Sequence, residues 1–178
     1  MTLSAVLLAL LLPAQAASLA GVTLSDSAKV GGQSLVLNGI GLREKYMIDV
    51  YVAGLYLPAK TTDANKAITS DVPKRIVMHM VRDLSKDQLV DSIREAAGHQ
   101  KLSAEQKAGI DTVATWMAPV SAGQQVIMDY VPGKGVTVTV AGKSNGYTGG
   151  KALMEVLWRI YLGNPPVTAD LKKGLLGG

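Results

Sequence analysis

The sequence predicts an α+β domain in which an antiparallel sheet is covered by helices on one face. Three observations predict it. Several apolar runs between Gln33 and Ala141 alternate with a period of two; Ser85 and Ser103 each stand ahead of a stripe of helical period; and Pro132-Gly133-Lys134 joins two strictly alternating segments. Strands joined partly by hairpins and separated by helices gather their helices to one side of a sheet.

The elements follow in order. Met1 to Ala20 has no charged side chain, an apolar block Leu7 to Leu12, then Pro13 and small residues, which reads as a secretory signal peptide cleaved after Ala16 or Ala20. The basic residue that usually precedes the apolar block is missing. That block is much shorter than the roughly 20 apolar residues a membrane span needs, so no integral membrane segment is expected after processing. Residues 21–178 are then expected to form a single domain. Val22 to Leu24 and Gln33 to Leu37, flanking Gly31-Gly32, suit a hairpin because two glycines tolerate positive φ. Tyr46 to Leu57, rich in Val, Ile and Tyr and stopped by Pro58, predicts a long strand. Thr62 to Ile68 has room for one or two helical turns. Lys74 to Val81 predicts a strand with Ile76, Met78 and Met80 on one side and Val77, His79 and Val81 on the other.

Ser85-Lys-Asp-Gln88 and Ser103-Ala-Glu-Gln106 fit the capping box, in which the serine hydroxyl and the third-position amide satisfy free backbone donors. The first opens a helix with Leu89, Ile93 and Ala96-Ala97 on one face before Gly98. The second carries Ile110, Val113, Trp116 and Met117 before Pro119. Gln125 to Val131 and Gly135 to Ala141 form the clearest hairpin in the chain, and a last helix runs from Lys151 to Leu162, ending at Gly163.

Composition narrows the function classes. There is no cysteine, hence no disulfide, no thiolate metal site and no lipid attachment near the amino terminus. Lys plus Arg number 18 against 14 acidic residues, a net charge of +4 that the uncharged leader leaves unchanged. The basic residues are scattered singly or in pairs such as Lys74-Arg75 and Lys172-Lys173, which is a solvated surface rather than a nucleic-acid footprint.

Three short motifs invite enzymology and fail. Gly142-Lys-Ser144-Asn-Gly146 has the pattern of a nucleophile elbow, but both histidines, His79 and His99, precede Ser144 and no helix opens behind it. Gly142-Lys143-Ser144 also ends like a phosphate loop, yet Thr137 stands where that loop needs glycine. Gly39-Ile-Gly41 lacks the third glycine and following helix of a dinucleotide fingerprint. The histidines have no ligand-spaced partner, so neither a metal nor a cofactor is expected; His79 is predicted to be partly buried in its strand and His99 exposed beyond a helix.

One residue resists the bland reading. Arg43 stands at the mouth of the apolar stretch Gly39 to Leu57, and a guanidinium buried without a partner costs several kcal/mol. Either Arg43 is solvated, or it anchors a loop through backbone carbonyls or Asp49, or an anion meets it. Gly39-Ile-Gly41-Leu-Arg43, followed by Asp49-Val-Tyr51-Val-Ala-Gly54-Leu-Tyr56-Leu57, resembles the signature of the chalcone isomerase-like superfamily. The ending Tyr161-Leu-Gly163-Asn-Pro165-Pro-Val-Thr, with Leu171 to Leu176, resembles its exported bacterial branch. The resemblance covers nearly the whole chain after the leader and implies an open-faced β-sandwich, with an apolar cleft between sheet and helices.

In the plant isomerases the matching arginine steadies a flavonoid phenolate or enolate; in the related fatty-acid-binding proteins an arginine and a tyrosine hold a carboxylate. Arg43 matches that arginine. Tyr51 falls where the enzymes carry threonine, and so looks like the binding proteins. The other polar positions of the enzymes correspond here to Leu89, Ala96 and Met154. The resemblance therefore implies a periplasmic binding protein for a fatty acid or similar anionic amphiphile, with Arg43 and Tyr51 as ligand-binding residues and no isomerase activity. The alternatives are an isomerase or lyase that uses Arg43 to stabilise an oxyanion, and an accessory domain that binds another exported protein. Geometry adds one requirement: eight residues of straight strand span roughly 26 Å, so the chain must bend near Glu44 to Met47 for Arg43 and Tyr51 to meet one ligand head.

Overall fold

A computed structural model describes residues 16–178; most of the expected leader, residues 1–15, lies outside them. Seven strands form one antiparallel sheet in strict chain order: β3 (Ser27–Val30), β4 (Gln33–Lys45), β5 (Ile48–Leu57), β6 (Lys74–Met80), β7 (Gln125–Val131), β8 (Gly135–Val140) and β9 (Lys143–Ser144). A separate two-stranded sheet of β1 (Ala17–Leu19) and β2 (Val22–Leu24) precedes it. Among the described residues there are five helices: α1 (Ala64–Thr69), α2 (Lys86–Gly98), α3 (Ala104–Thr115), α4 (Gly150–Leu162) and α5 (Ala169–Leu175). The α+β class and the helix-covered antiparallel sheet are as the sequence predicts.

The two faces of the sheet carry two cores. Leu55, Ile76, Met78 and Met128 face the helices, where they meet Ile93, Ile110, Val113 and the α4 residues Leu157 and Trp158. Leu35, Leu37, Val52, Tyr56 and Val77 face the other way, under Val22 and Leu24 of β2. The segregation follows from the two-residue period of the strands, which the β6 sequence displays directly. Both capping boxes form: Ser85 Oγ accepts from Gln88 N, Ser103 Oγ accepts from Gln106 N, and each glutamine side chain accepts in return from the serine backbone N–H.

Three expectations are corrected. The Gly31-Gly32 turn joins β3, not Val22 to Leu24, to β4, because Ser27–Val30 intervenes and pairs in register with Gln33 to Val36. The strand expected from Tyr46 begins at Ile48; Lys45 pairs with Ile48, and Tyr46-Met47 form the turn between them. The carboxyl-terminal segment, without an element in the sequence reading, forms α5 against β4. Its approach depends on glycine. A Cβ on Gly41 would stand 2.7 Å from the Leu171 carbonyl oxygen, and Gly39 and Gly174 are similarly closed by opposing backbone. Asn38 locks the contact at a β-bulge: its Nδ2 donates to Leu175 O at 2.7 Å, and its Oδ1 accepts from Thr61 N at 2.7 Å.

Candidate functional site

Pairing of β4 with β5 places Gly39 opposite Leu55, Gly41 opposite Ala53 and Arg43 opposite Tyr51. Residues paired across antiparallel strands share a face, so the two glycines and the arginine all point toward the helices. The glycines let α5 close over β4; Arg43 is the next residue on that face, just beyond it. The required bend is a complete reversal: positive φ at Tyr46 and Met47 turns the chain, and a register shift after Arg43 sets the side chain. Arg43 and Tyr51 are thereby neighbours, with the guanidinium carbon 5.8 Å from the ring centroid.

Arg43 Nε is buried and has no hydrogen-bond partner. The anchoring role through carbonyls or Asp49 is therefore not what the structure shows for this atom. Tyr51 is 6% exposed, and Tyr161, from the last turn of α4, is 5% exposed beside it. Burial raises the Tyr51 hydroxyl well above its ordinary range, the Tyr161 phenol adds to the effect, and Arg43 opposes it. Burial likewise raises Tyr161 to about 12 against the pull of Arg43. Both phenols stay neutral at physiological pH, and the Tyr161 hydroxyl donates to Met78 Sδ at 3.3 Å. The corner thus holds one fixed positive charge and two neutral phenols.

A cavity of about 410 Å³ opens from this corner between sheet and helices. Tyr51, Met78, Met80, Val126 and Met128 form its floor; Leu84, Leu89, Ile93, Met117, Ile160 and Val167 line the rest of its apolar wall. Arg43, Lys45, Tyr46, Arg82, Asp91 and Glu95 also border it, the last two being exposed side chains of α2. The volume falls within the roughly 300–1,000 Å³ of small-molecule sites. A second chamber of about 400 Å³ shares Arg43 and is more polar, with Glu44, Ser92, His99 and Thr168 in its wall.

The structure brings Arg43 and Tyr51 together as the sequence required. Leu89 lines the first cavity, Ala96 lines the second chamber, and Met154 lies fully buried in the core. Tyr161 was missing from the expected site. Its position in an apolar helical stripe gives no signal that its hydroxyl reaches across to Tyr51. Ser144 sits on the short edge strand β9, its Oγ 2.7 Å from Thr139 Oγ1, and not at a strand-to-helix elbow. His79 is half-buried and His99 exposed, as expected. Among the described residues no group of His, Asp or Glu is arranged to hold a metal ion.

A family model described as chalcone isomerase-like matches residues 16–177. Comparison with curated protein sequences returns no match. Among solved structures, the crystal structure of a fatty-acid binding protein from Arabidopsis thaliana superposes with a TM-score of 0.72 at 16% sequence identity. The match covers 91% of this chain and 96% of the plant protein, and it establishes the shared fold.

Proposed function

This chain belongs to the chalcone isomerase-like family, and from that premise we propose that it binds a fatty acid or similar anionic amphiphile and has no ring-closing isomerase activity. The observation that carries the proposal is Arg43, whose Nε is buried without a partner in the wall of an apolar cavity. A charged donor left unsatisfied is costly, and a carboxylate would satisfy it with charge-assisted hydrogen bonds. Tyr51 and Tyr161 offer neutral hydroxyls beside it, while an aliphatic tail gains roughly 25 cal/mol per Å² of apolar surface buried along the methionine-rich floor. The shared fold of the fatty-acid binding protein from Arabidopsis thaliana supports this reading. Leu89, Ala96 and Met154 supply none of the polar partners that ring closure needs.

The expected site of action is the periplasm, on the strength of the uncharged apolar leader. Cleavage after Ala16 would retain β1, whereas cleavage after Ala20 would remove it from its pairing with β2.

Calorimetric titration with a long-chain acid and the corresponding alcohol tests the site. Arg43→Ala should weaken the acid by roughly 1.5–3 kcal/mol and leave the alcohol nearly unchanged. Arg43→Lys should recover part of the loss, because it restores the charge without the planar fork. Equal losses for both ligands would show that Arg43 only supports the fold.

A further inference from the structure

Among the described residues the chain makes the same kind of two-residue hairpin turn four times. Leu19 pairs with Val22, Val30 with Gln33, Lys45 with Ile48 and Val140 with Lys143, and both residues inside each turn have positive φ. Such turns match the twist of the strands but suit glycine, asparagine or aspartate. Three of them place glycine second: Ala20-Gly21, Gly31-Gly32 and Ala141-Gly142. The fourth is Tyr46-Met47, with φ of 53° and 60°, two bulky side chains in a backbone region that disfavours them.

Those side chains return nothing to the fold. Tyr46 is 87% and Met47 90% exposed, and Ile48 beside them is 50% exposed. Only two other large apolar side chains among the described residues, Val36 and Tyr147, are exposed. A strained turn that keeps three large apolar groups in solvent has its use outside the folded chain. The tip also borders the 410 Å³ cavity through Lys45, Tyr46 and Ile48.

We propose that the β4–β5 tip docks this protein on a lipid bilayer, inserting Tyr46, Met47 and Ile48 into the interface so that the cavity mouth faces the membrane. A convex tip of three residues cannot supply the roughly 800 Å² per partner of a stable protein interface, but it can enter the headgroup layer. Tyrosine is at home at that depth, and Lys45, whose Nζ lies 5.6 Å from the Tyr46 ring centroid, can extend toward phosphate. The tip's own charges balance, Arg43 and Lys45 against Glu44 and Asp49, so apolar insertion rather than attraction to anionic lipid holds the complex. This goes beyond the carboxylate site and does not need it.

The test is sedimentation of the full chain with phosphatidylcholine vesicles, with and without phosphatidylglycerol and with no amphiphile added. Wild type should bind both vesicle types with little dependence on salt. Met47→Gly should weaken binding about tenfold, the loss expected from removing one inserted apolar side chain. Its thermal midpoint should be unchanged or higher, because glycine accepts positive φ. Tyr147→Ser, which removes an exposed apolar group elsewhere, should bind as wild type. In Met47→Trp, the difference emission against wild type should shift to the blue on vesicles and be quenched by brominated lipid. No vesicle binding by wild type, wild-type binding by Met47→Gly, a difference emission of Met47→Trp that vesicles leave unmoved, or binding abolished by salt would each overturn the proposal. Titration of a soluble acid without vesicles reads the carboxylate site separately, so failure of either idea leaves the other standing.

Discussion

Lys74 is fully buried in the core beneath α4. Its Nζ donates to Ala67 O at 2.7 Å and Ile68 O at 3.3 Å, carbonyls in the last turn of α1 that lack helical partners, and it lies 6.0 Å from the centroid of the Trp158 ring. Burial lowers the Lys74 pKa to about 8, against the opposing pull of Asp71 and Glu155. Below that value the ammonium is charged in both folded and unfolded chains, and its burial costs stability. Between about 8 and the unfolded value the unfolded chain binds the extra proton, so stability should rise with pH by at most roughly 1.4 kcal/mol per unit. Above pH 10 the buried phenols, with raised pKa, contribute the opposite slope. Urea unfolding at pH 8, 9 and 10 should show this rise in wild type and lose it in Lys74→Met; parallel profiles would place the amine in a solvated site. The sequence marked Lys74 as the start of a strand and, with Arg75, as one of the basic pairs of a solvated surface; the structure buries it instead. Its partners lie on a helix whose docking no local pattern reveals. Arg43, by contrast, was conspicuous as a charge in an apolar stretch, and Tyr51 followed once the family signature was aligned.

The elements with local causes were the legible ones. A capping box is written within four residues, so α2 and α3 could be placed from Ser85 and Ser103 alone. The β7–β8 hairpin declares itself by alternation around Pro132-Gly133. α5 was not legible: it is seven residues long and contains Gly174, too short and too weak to stand by propensity. Tertiary docking holds it, with Leu171 and Leu175 fully buried and glycines on both sides of the contact. Gly41→Ala should therefore cost roughly 1–3 kcal/mol, the usual range for overpacking, read as a lower urea midpoint with unchanged slope. A variant as stable as wild type would mean that α5 shifts freely. The Gly31-Gly32 turn was recognised but assigned the wrong first strand. Ser27–Val30 has weak apolar alternation, whereas Val22 to Leu24 looks more strand-like and is used instead to cover the opposite face.

At the scale of the molecule, the class was readable because periods of two and of helical spacing are separated cleanly along the chain. The cavity was not readable from periodicity, and only the family resemblance implied a cleft, since it is a space between elements and depends on how far the helices stand off the sheet. Its composition gives the last functional expectation. Chalcone cyclisation should proceed at its spontaneous rate in the presence of the protein, followed by chalcone absorbance; an acceleration that vanishes in Arg43→Ala would instead establish an enzyme. The strand order carries a further consequence. Every strand of the large sheet pairs with its neighbour in the chain, so the sheet can grow sequentially as a chain is synthesised, with only the β6–β7 pairing closing a long loop, the segment that carries α2 and α3. α4 and α5 come last, after residue 149. Until they arrive, Leu55, Ile76, Met78 and Met128 lack their α4 cover, and the cavity lacks the Ile160 and Tyr161 wall. An incomplete chain is thus a sticky half-sandwich unable to form the full binding corner, and the carboxyl-terminal helices convert an aggregation hazard into a receptor in a single late step.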